Sequence, residues 1–472
     1  MRYISTRGQA APVTFRQAVV SGLAPDGGLF MPAAWPQFPE AKLRAMADMP
    51  FSDIVATSLA SFFDPDDDVP DGQALAAAMR KAYESFDADE TVILRQLDES
   101  HYVLELFHGP TLAFKDVAMQ ALAQLYPWAQ DGLTDAGSSR RKTILAATSG
   151  DTGGAAIAAF ANTVDADIIV FHPKGRISEV QRRIMTTTPG SNISNIAIDD
   201  SFDVCQRLVK ELFGDPALNE KLDLGGVNSI NWVRLAIQAS YYFATYARLG
   251  KASTFVVPTG NFGDIFAGYA AWRMGLPVLK LVAAVNENDI VHRAISSGDY
   301  SSGAVRATSA PSMDIQIASN FERLLFEAMG RDATRLRKVM TDFAASGAIS
   351  VPADVLTAIQ KLFSSGSATG SMTDKMIEQT WRRHDYLIDP HTAIGMVVAE
   401  QQRSKGVTGP IVTLSTAHPA KFPEAVARAA GVEPALPDRY ADLFDREESL
   451  AVLPADVRAI SSYILNCQAV RG

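Results

Sequence analysis

Lys115 is the side chain whose placement in this chain of 472 residues most invites chemistry. The run Tyr102-Val103-Leu104-Glu105-Leu106-Phe107 reads as a buried strand, and His108-Gly109-Pro110-Thr111 breaks it with a Gly-Pro turn. Beyond the turn, Val117, Ala118, Ala121, Leu122 and Leu125 recur at helical spacing, which puts Lys115 at the mouth of a helix, just behind Phe114. Helix N-termini carry partial positive charge, so an ammonium is disfavoured there, and an apolar neighbourhood lowers its pKa further. A lysine held neutral can form a Schiff base with an aldehyde. The alternative is a surface lysine that coincides with a helix start.

Two loops elsewhere share one design. Thr148-Ser149-Gly150-Asp151-Thr152-Gly153-Gly154 lies between an apolar strand, 143–147, and an Ala-rich helix, 155–162. Thr259-Gly260-Asn261-Phe262-Gly263-Asp264 lies between a strand at 255–257 and a helix at 265–274. In each, free backbone N–H groups at a helix N-terminus can cradle an anion, and glycines permit close approach. Taken singly, each is also readable as an ordinary tight turn. Two of them, with Lys115 upstream, favour one site that holds more than one anion. Neither is a nucleotide motif, because the chain has no G-x-G-x-x-G after a strand and no G-x-x-x-x-G-K-[ST]. Asp151 cuts the other way: a carboxylate in an anion cradle must face a cation or a hydroxyl, or be protonated.

A third candidate is Asn228-Ser229-Ile230-Asn231-Trp232-Val233-Arg234. Asn231 could cap a helix, with Arg234 at its third position and Asn228 and Ser229 in the loop before it, a set suited to phosphate or carboxylate. A capped helix with a surface arginine is the plainer reading. Finally, Thr413-Leu414-Ser415-Thr416-Ala417-His418-Pro419-Ala420-Lys421-Phe422 puts hydroxyls at the C-terminal end of a strand, where open α/β sheets bind ligands. His418, beside a proline, reads as a turn residue rather than a base.

The elements that must position these residues alternate strand, loop and helix from residue 100 onward, which implies crossover units and a largely parallel α/β fold. The division expected is an N-terminal segment, 1–95, a smaller α/β lobe, 96–224, and a larger one, 225–472. Residues 315–400 read as a helical, polar, peripheral region, with 363–371 its most flexible piece. The acidic run from Asp64 to Asp71 reads as a solvated loop. An apolar fraction of 47% with 20% charged residues is that of a globular chain with a large core. A net charge of −10 argues against a nucleic-acid binder. Two cysteines exclude a disulfide framework and a multi-cysteine zinc site, and no metal is expected. With no secretory signal and no run approaching the ~18 apolar residues of a membrane span, a cytoplasmic enzyme is expected.

Taken in order, these stretches resemble the threonine synthases, among the fold-type-II pyridoxal-phosphate enzymes. The resemblance spans nearly the whole chain. It begins at Tyr3-Ile4-Ser5-Thr6-Arg7-Gly8 and Gly27-Gly28-Leu29-Phe30, and runs through His108-Gly109-Pro110-Thr111 and Phe114-Lys115-Asp116. It continues through Thr148-Ser149-Gly150-Asp151-Thr152-Gly153, Asn228-Ser229-Ile230-Asn231, Gly260-Asn261-Phe262-Gly263-Asp264 and Ala417-His418-Pro419-Ala420-Lys421-Phe422. It implies two open, mostly parallel α/β lobes with pyridoxal 5'-phosphate between them.

It also implies roles. Lys115 matches the catalytic lysine that carries the cofactor. Gly260, Asn261, Phe262, Gly263 and Asp264 match the cradle for the cofactor phosphate. Thr416, with Ser415 as rival, matches the hydroxyl facing the pyridine nitrogen. Thr148, Ser149, Asp151 and Thr152 match the loop that holds the substrate carboxylate; the wider superfamily usually has Asn at Asp151, whereas similar threonine synthases carry Asp. Asn228, Ser229 and Arg234 match positions that hold the substrate phosphate. The reaction implied is the last step of threonine biosynthesis: γ-elimination of phosphate from O-phospho-L-homoserine, then β-addition of water to give L-threonine. The rivals are another lyase of the same fold (a serine or threonine dehydratase, or an amino-acid phospho-lyase) and a non-catalytic phosphoamino-acid sensor. Monomer and homodimer stay equally open.

Overall fold

Two parallel sheets organise the chain. The computed structural model describes residues 1–64, 69–87, 90–131, 141–164 and 166–471. Part of the acidic run between Asp64 and Asp71 lies outside these. The larger sheet has six strands in the order Phe363–Ser367, Val278–Val285, Ser253–Pro258, Ile411–Ser415, His101–Glu105 and Ile93–Gln96. All its pairs are parallel except the last. The smaller sheet is parallel throughout, in the order Ala451–Leu453, Ile193–Ile198, Ala166–Pro173, Lys142–Ala147 and Leu224–Gly225. Ser253–Pro258 and Ala166–Pro173 are buried at every residue, as central strands covered by helices on both faces must be.

The strand register sets up the site. Ile411 pairs with both His101 and Thr254, so the strands Ser253–Pro258, Ile411–Ser415 and His101–Glu105 end side by side. The chain leaving those three ends carries the 259–264 loop, Thr416 and Lys115. Ligands bind at this edge in open α/β sheets. Behind it runs the helix Trp232–Leu249, buried over most of its length and packed on the helices Gly263–Arg273, Phe51–Ala60 and Lys115–Asp131. Asn231 caps it by accepting from Val233 N at 2.9 Å, as the sequence predicts.

The N-terminal segment does more than flank the lobes. Tyr3–Ser5 pairs antiparallel with Phe30–Pro32. The hydroxyl of Thr6 donates to Glu322 at 2.7 Å while accepting from Leu29 N at 2.8 Å, and the Arg7 guanidinium pairs with the same carboxylate at 3.1 Å. The opening motif and the Gly-Gly-Leu-Phe loop therefore brace one buried glutamate next to the cleft.

Several expectations change. The sheets do not follow the linear division: Ile93–Gln96 and His101–Glu105 belong to the larger sheet, and Ala451–Leu453 returns from far along the chain to the smaller one. Short apolar strands carry no mark of which sheet they will join. Residues 363–367, expected to be flexible, form the edge strand beside Leu281–Val285. Their small side chains serve close packing, since a Cβ on Gly366 would lie 2.5 Å from Gln401 Oε1. The region 315–400 is not peripheral throughout, because its last helix, Pro390–Ser404, packs on the two central strands of the larger sheet. The helix expected from 155 starts four residues earlier, as Asp151–Phe160.

Candidate active site

Lys115 opens the helix Lys115–Asp131 and is placed there by the turn before it. Thr111 donates to both oxygens of the buried Asp116, from its backbone N at 2.7 Å and its hydroxyl at 2.6 Å. Gly109 packs directly on that carboxylate, where a Cβ would lie 2.4 Å from Asp116 Cβ. The turn is thus locked, and Lys115 Nζ is held over the Phe114 ring at 4.7 Å. Burial lowers the Lys115 pKa; Lys421 and Arg234 push in the same direction, against Asp151.

Asp151 answers the puzzle it posed. Its Oδ2 lies 3.2 Å from Lys115 Nζ and accepts from Ser312 Oγ at 3.3 Å. Its Oδ1 lies 2.5 Å from Lys421 Nζ and accepts from Gln181 Nε2 at 2.8 Å. Burial would raise this carboxyl, but the two lysines, with the hydrogen bonds of Lys421 and Gln181, outweigh it and hold Asp151 well below the usual range. It is an ionised, fully partnered carboxylate. The motif that contains Lys421 carries no mark of this role, and neither Gln181 nor Ser312 stands out in the sequence.

The 259–264 loop delivers its backbone to the same cavity, lined by Gly260, Asn261, Phe262, Gly263 and Asp264 together with Lys115, Ser149, Asp151 and Thr152. Phe262 takes a left-handed conformation at φ 65 and starts the helix Gly263–Arg273 with no side-chain cap, which leaves that N-terminus free to meet an anion. Gly260 is required by fit: a Cβ there would lie 2.3 Å from Ser312 O. The Asp264 side chain turns back to Tyr241 and Tyr242, which donate to its Oδ1, while its Oδ2 has no hydrogen-bond partner among the described residues. Burial raises this carboxyl to about 7, despite the two phenols and Lys115.

Arg234 is not a surface arginine. It is 3% exposed, its Nη1 reaches only Val227 O at 3.3 Å, and its Nε has no partner among the described residues. Burial pushes the guanidinium down to about 10. A buried cation so thinly satisfied calls for an anion. Ser229, and Gln238 one helical turn further on, line the cavity beside it. Asn228 does not: it is exposed, and its Oδ1 accepts from Ile230 N at 3.2 Å in a local turn.

Thr148 also lies off the cavity. Its buried hydroxyl accepts from Gly150 N and Gly153 N, both at 2.9 Å, beneath the first turn of the helix. Of the two rival hydroxyls, Thr416 lines the cavity, whereas Ser415 is buried against Thr392 Oγ1 at 2.9 Å. His418 acts as a turn residue, with Nδ1 accepting from Ala420 N at 3.2 Å, and burial drives its pKa down to about 4. His391, not foreseen, faces the cavity; it donates to Asp389 at 2.8 Å and accepts from Ser312 N at 3.3 Å.

Known proteins resemble this chain along nearly its whole length. Residues 2–83 match the profile for the threonine synthase N terminus, 93–417 that for pyridoxal-phosphate dependent enzymes, and 392–464 that for the threonine synthase C-terminal region. A threonine synthase of Pseudomonas aeruginosa is 44% identical, over 98% of this chain and 98% of that protein. The crystal structure of threonine synthase with bound pyridoxal phosphate from Brucella melitensis superposes with a TM-score of 0.94 at 46% identity, covering 99% of both chains. The yeast threonine synthase structure gives 0.92 at 35% identity, again over 99% of each. A chain with this lysine, these two glycine-rich loops and this likeness along its whole length belongs to the threonine synthase family of pyridoxal-phosphate dependent enzymes.

Proposed function

We propose that this chain converts O-phospho-L-homoserine and water into L-threonine and phosphate. The observation that carries the substrate assignment is Arg234, a buried, thinly bonded guanidinium that lines the cavity from a different helix than the 260–264 cradle. With the cofactor phosphate in the cradle and the substrate carboxylate at Ser149 and Thr152, a substrate without a phosphate has no use for this third anion site.

The residues present fit pyridoxal phosphate. The uncapped N-terminus of the Gly263–Arg273 helix suits the phosphate, and Gly260 brings the loop close. Lys115 has the depressed pKa that an amine needs to capture an aldehyde. Thr416 offers a neutral hydroxyl to the ring nitrogen. The cofactor, when bound, supplies the electron sink that stabilises negative charge at the substrate α carbon.

The protein's own groups divide the remaining work. Ser149 and Thr152, at the start of the Asp151–Phe160 helix, bind the substrate carboxylate. Lys115 Nζ takes the proton from the α carbon and holds it for return. Asp151 keeps that amine aimed inward without spending its lone pair, because Lys421 already meets the carboxylate charge. Ser229 and Arg234 grip the phosphate, and the guanidinium offsets the charge that grows on the bridging oxygen as the bond to the γ carbon breaks. Loss of a β proton drives the phosphate off the γ carbon, that carbon takes up a proton, and water then adds its hydroxyl at the β carbon as a proton returns to the α carbon. The two cysteines, Cys205 and Cys467, are both unpaired, which supports a reducing, cytoplasmic setting. Among the described residues no helix is long and apolar enough to cross a membrane.

A phosphate-release assay with O-phospho-L-homoserine, with the amino acid product identified, tests the reading. Equimolar phosphate and threonine are expected. A 2-oxo acid and ammonia in place of threonine would assign the chain to a phospho-lyase, and faster turnover of serine to a dehydratase.

A further inference from the structure

Asn320 has no place in the chemistry above, yet both anion loops are fastened to it. Its Nδ2 donates to Ser229 O at 3.1 Å and to Asn261 O at 3.0 Å, and its backbone N donates to Asn261 O at 3.1 Å. Arg323 Nη1 donates to Asn320 Oδ1, which orients the amide so that both of its N–H groups face the loops. The same guanidinium donates to Ile230 O at 2.7 Å, one residue beyond Ser229, and to Phe30 O at 3.1 Å in the N-terminal segment. Asn320 and Arg323 are both fully buried. The cofactor cradle rests directly on the amide, since a Cβ on Gly263 would lie 3.2 Å from Asn320 Nδ2.

We propose that Asn320 is the positioning residue that sets the spacing between the two anion sites, by tying the Ser229 loop to the Asn261 loop through one primary amide. The proposal rests on the reading of these loops as holders of cofactor and substrate phosphate. Only Asn at this reach offers two donors to two carbonyls and an acceptor to Arg323. Asn261 is exposed and Ser229 part-buried at the cavity wall, so the amide acts by fixing the two carbonyls in place: Ser229 O has no other donor among the described residues, whereas Asn261 O keeps the bond from Asn320 N. The Arg7, Thr6 and Glu322 cluster holds the helix Phe321–Ala328, and with it Arg323, against the N-terminal segment.

Asn320→Asp keeps the shape and the contact with Arg323 but removes both side-chain donors, and Asn320→Leu, which removes them without adding a negative charge beside the anion sites, must show the same effects. We expect a folded protein by circular dichroism and melting. Its KM for O-phospho-L-homoserine should rise about tenfold with a smaller change in kcat, and its apoprotein should bind pyridoxal phosphate about fivefold more weakly. A variant whose donors matter only for general stability would lose melting temperature without that split between KM and kcat. Either constant staying within about twofold of wild type in a folded variant overturns the proposal. If Asn320→Asp does not fold, Asn320→Ser, too short to reach both carbonyls, is judged by the same two constants. Wild-type protein that fails to release phosphate from O-phospho-L-homoserine would instead refute the substrate reading. Asn320 is then decided by the cofactor titration alone, an unchanged constant overturning it.

Discussion

Lys421 Nζ lies 2.5 Å from Asp151 Oδ1, and Lys115 Nζ lies 3.2 Å from the other oxygen of the same carboxylate. One negative charge is shared by two amines at the wall of the cavity. Lys421 is tied further by donating to Thr111 O at 2.8 Å. The arrangement makes Lys421 a tuning residue. Its charge helps to lower the Lys115 pKa, so removing it raises that pKa and leaves more Lys115 protonated at any given pH. Lys421→Met should move the acid limb of the kcat/KM profile to higher pH by about one unit. The pH dependence of the visible absorbance should move with it. A profile that stays in place would show that Lys421 only fills space.

Lys115→Ala removes the amine and leaves the fold, since the Asp116 and Gly109 lock on the turn is untouched. Turnover should fall by about 10³-fold or more. Borohydride treatment should no longer fix cofactor to the chain, which mass spectrometry of the intact protein reads directly.

Arg234→Met replaces a buried, thinly bonded cation with an apolar chain of similar length. Removing an unpaired buried charge does not weaken a fold, so the melting temperature should hold or rise. The KM for O-phospho-L-homoserine should increase by about tenfold to a hundredfold, the loss of roughly 2 kcal/mol of charge-assisted bonding. Cofactor absorbance should remain. A protein that loses the cofactor instead would merge the two anion sites into one.

Asp264 gives the apoprotein a pH signature. Its carboxyl is raised from 3.8 to about 7 by burial, so between those values the folded chain holds a proton that the unfolded chain releases. That contribution to stability is complete below the lower value and is lost as pH rises through the upper one. Asp264→Asn, neutral at every pH and still able to accept from Tyr241, should therefore melt a few degrees higher than wild type at pH 8, with the gap closing at pH 5. Thermal melts of apoprotein at the two values measure it; an equal gap at both would place the proton elsewhere.

Much of this site can be read before any coordinates, because residue type and a nearby helix start are local facts. Lys115, Asn231, Arg234 and the 260–264 loop all fall where the spacing of their neighbours puts them. What cannot be read is which way a hydroxyl or a strand will turn. Thr148 shares a loop with Ser149 and Thr152, but the helix starts at Asp151 rather than 155 and places it under the first turn, where it captures two backbone N–H groups. Asn228 spends its side chain on its own turn. Lys421 meets its carboxylate only through the tertiary fold, and nothing in its immediate neighbours foretells Asp151. The edge strand Phe363–Ser367 is hidden by its small, polar composition, which suits a close-packed border as well as it suits a loop.

The interleaving of the two sheets bears on how the protein is made. As translation proceeds, Ile93–Gln96 and His101–Glu105 can form a hairpin early, but the strand that covers its open side, Ile411–Ser415, leaves the ribosome roughly three hundred residues later. The last strand of the other sheet, Ala451–Leu453, follows later still. For most of its synthesis the nascent chain carries an unpaired strand edge next to its reactive lysine, a state that invites misassembly and the attention of chaperones.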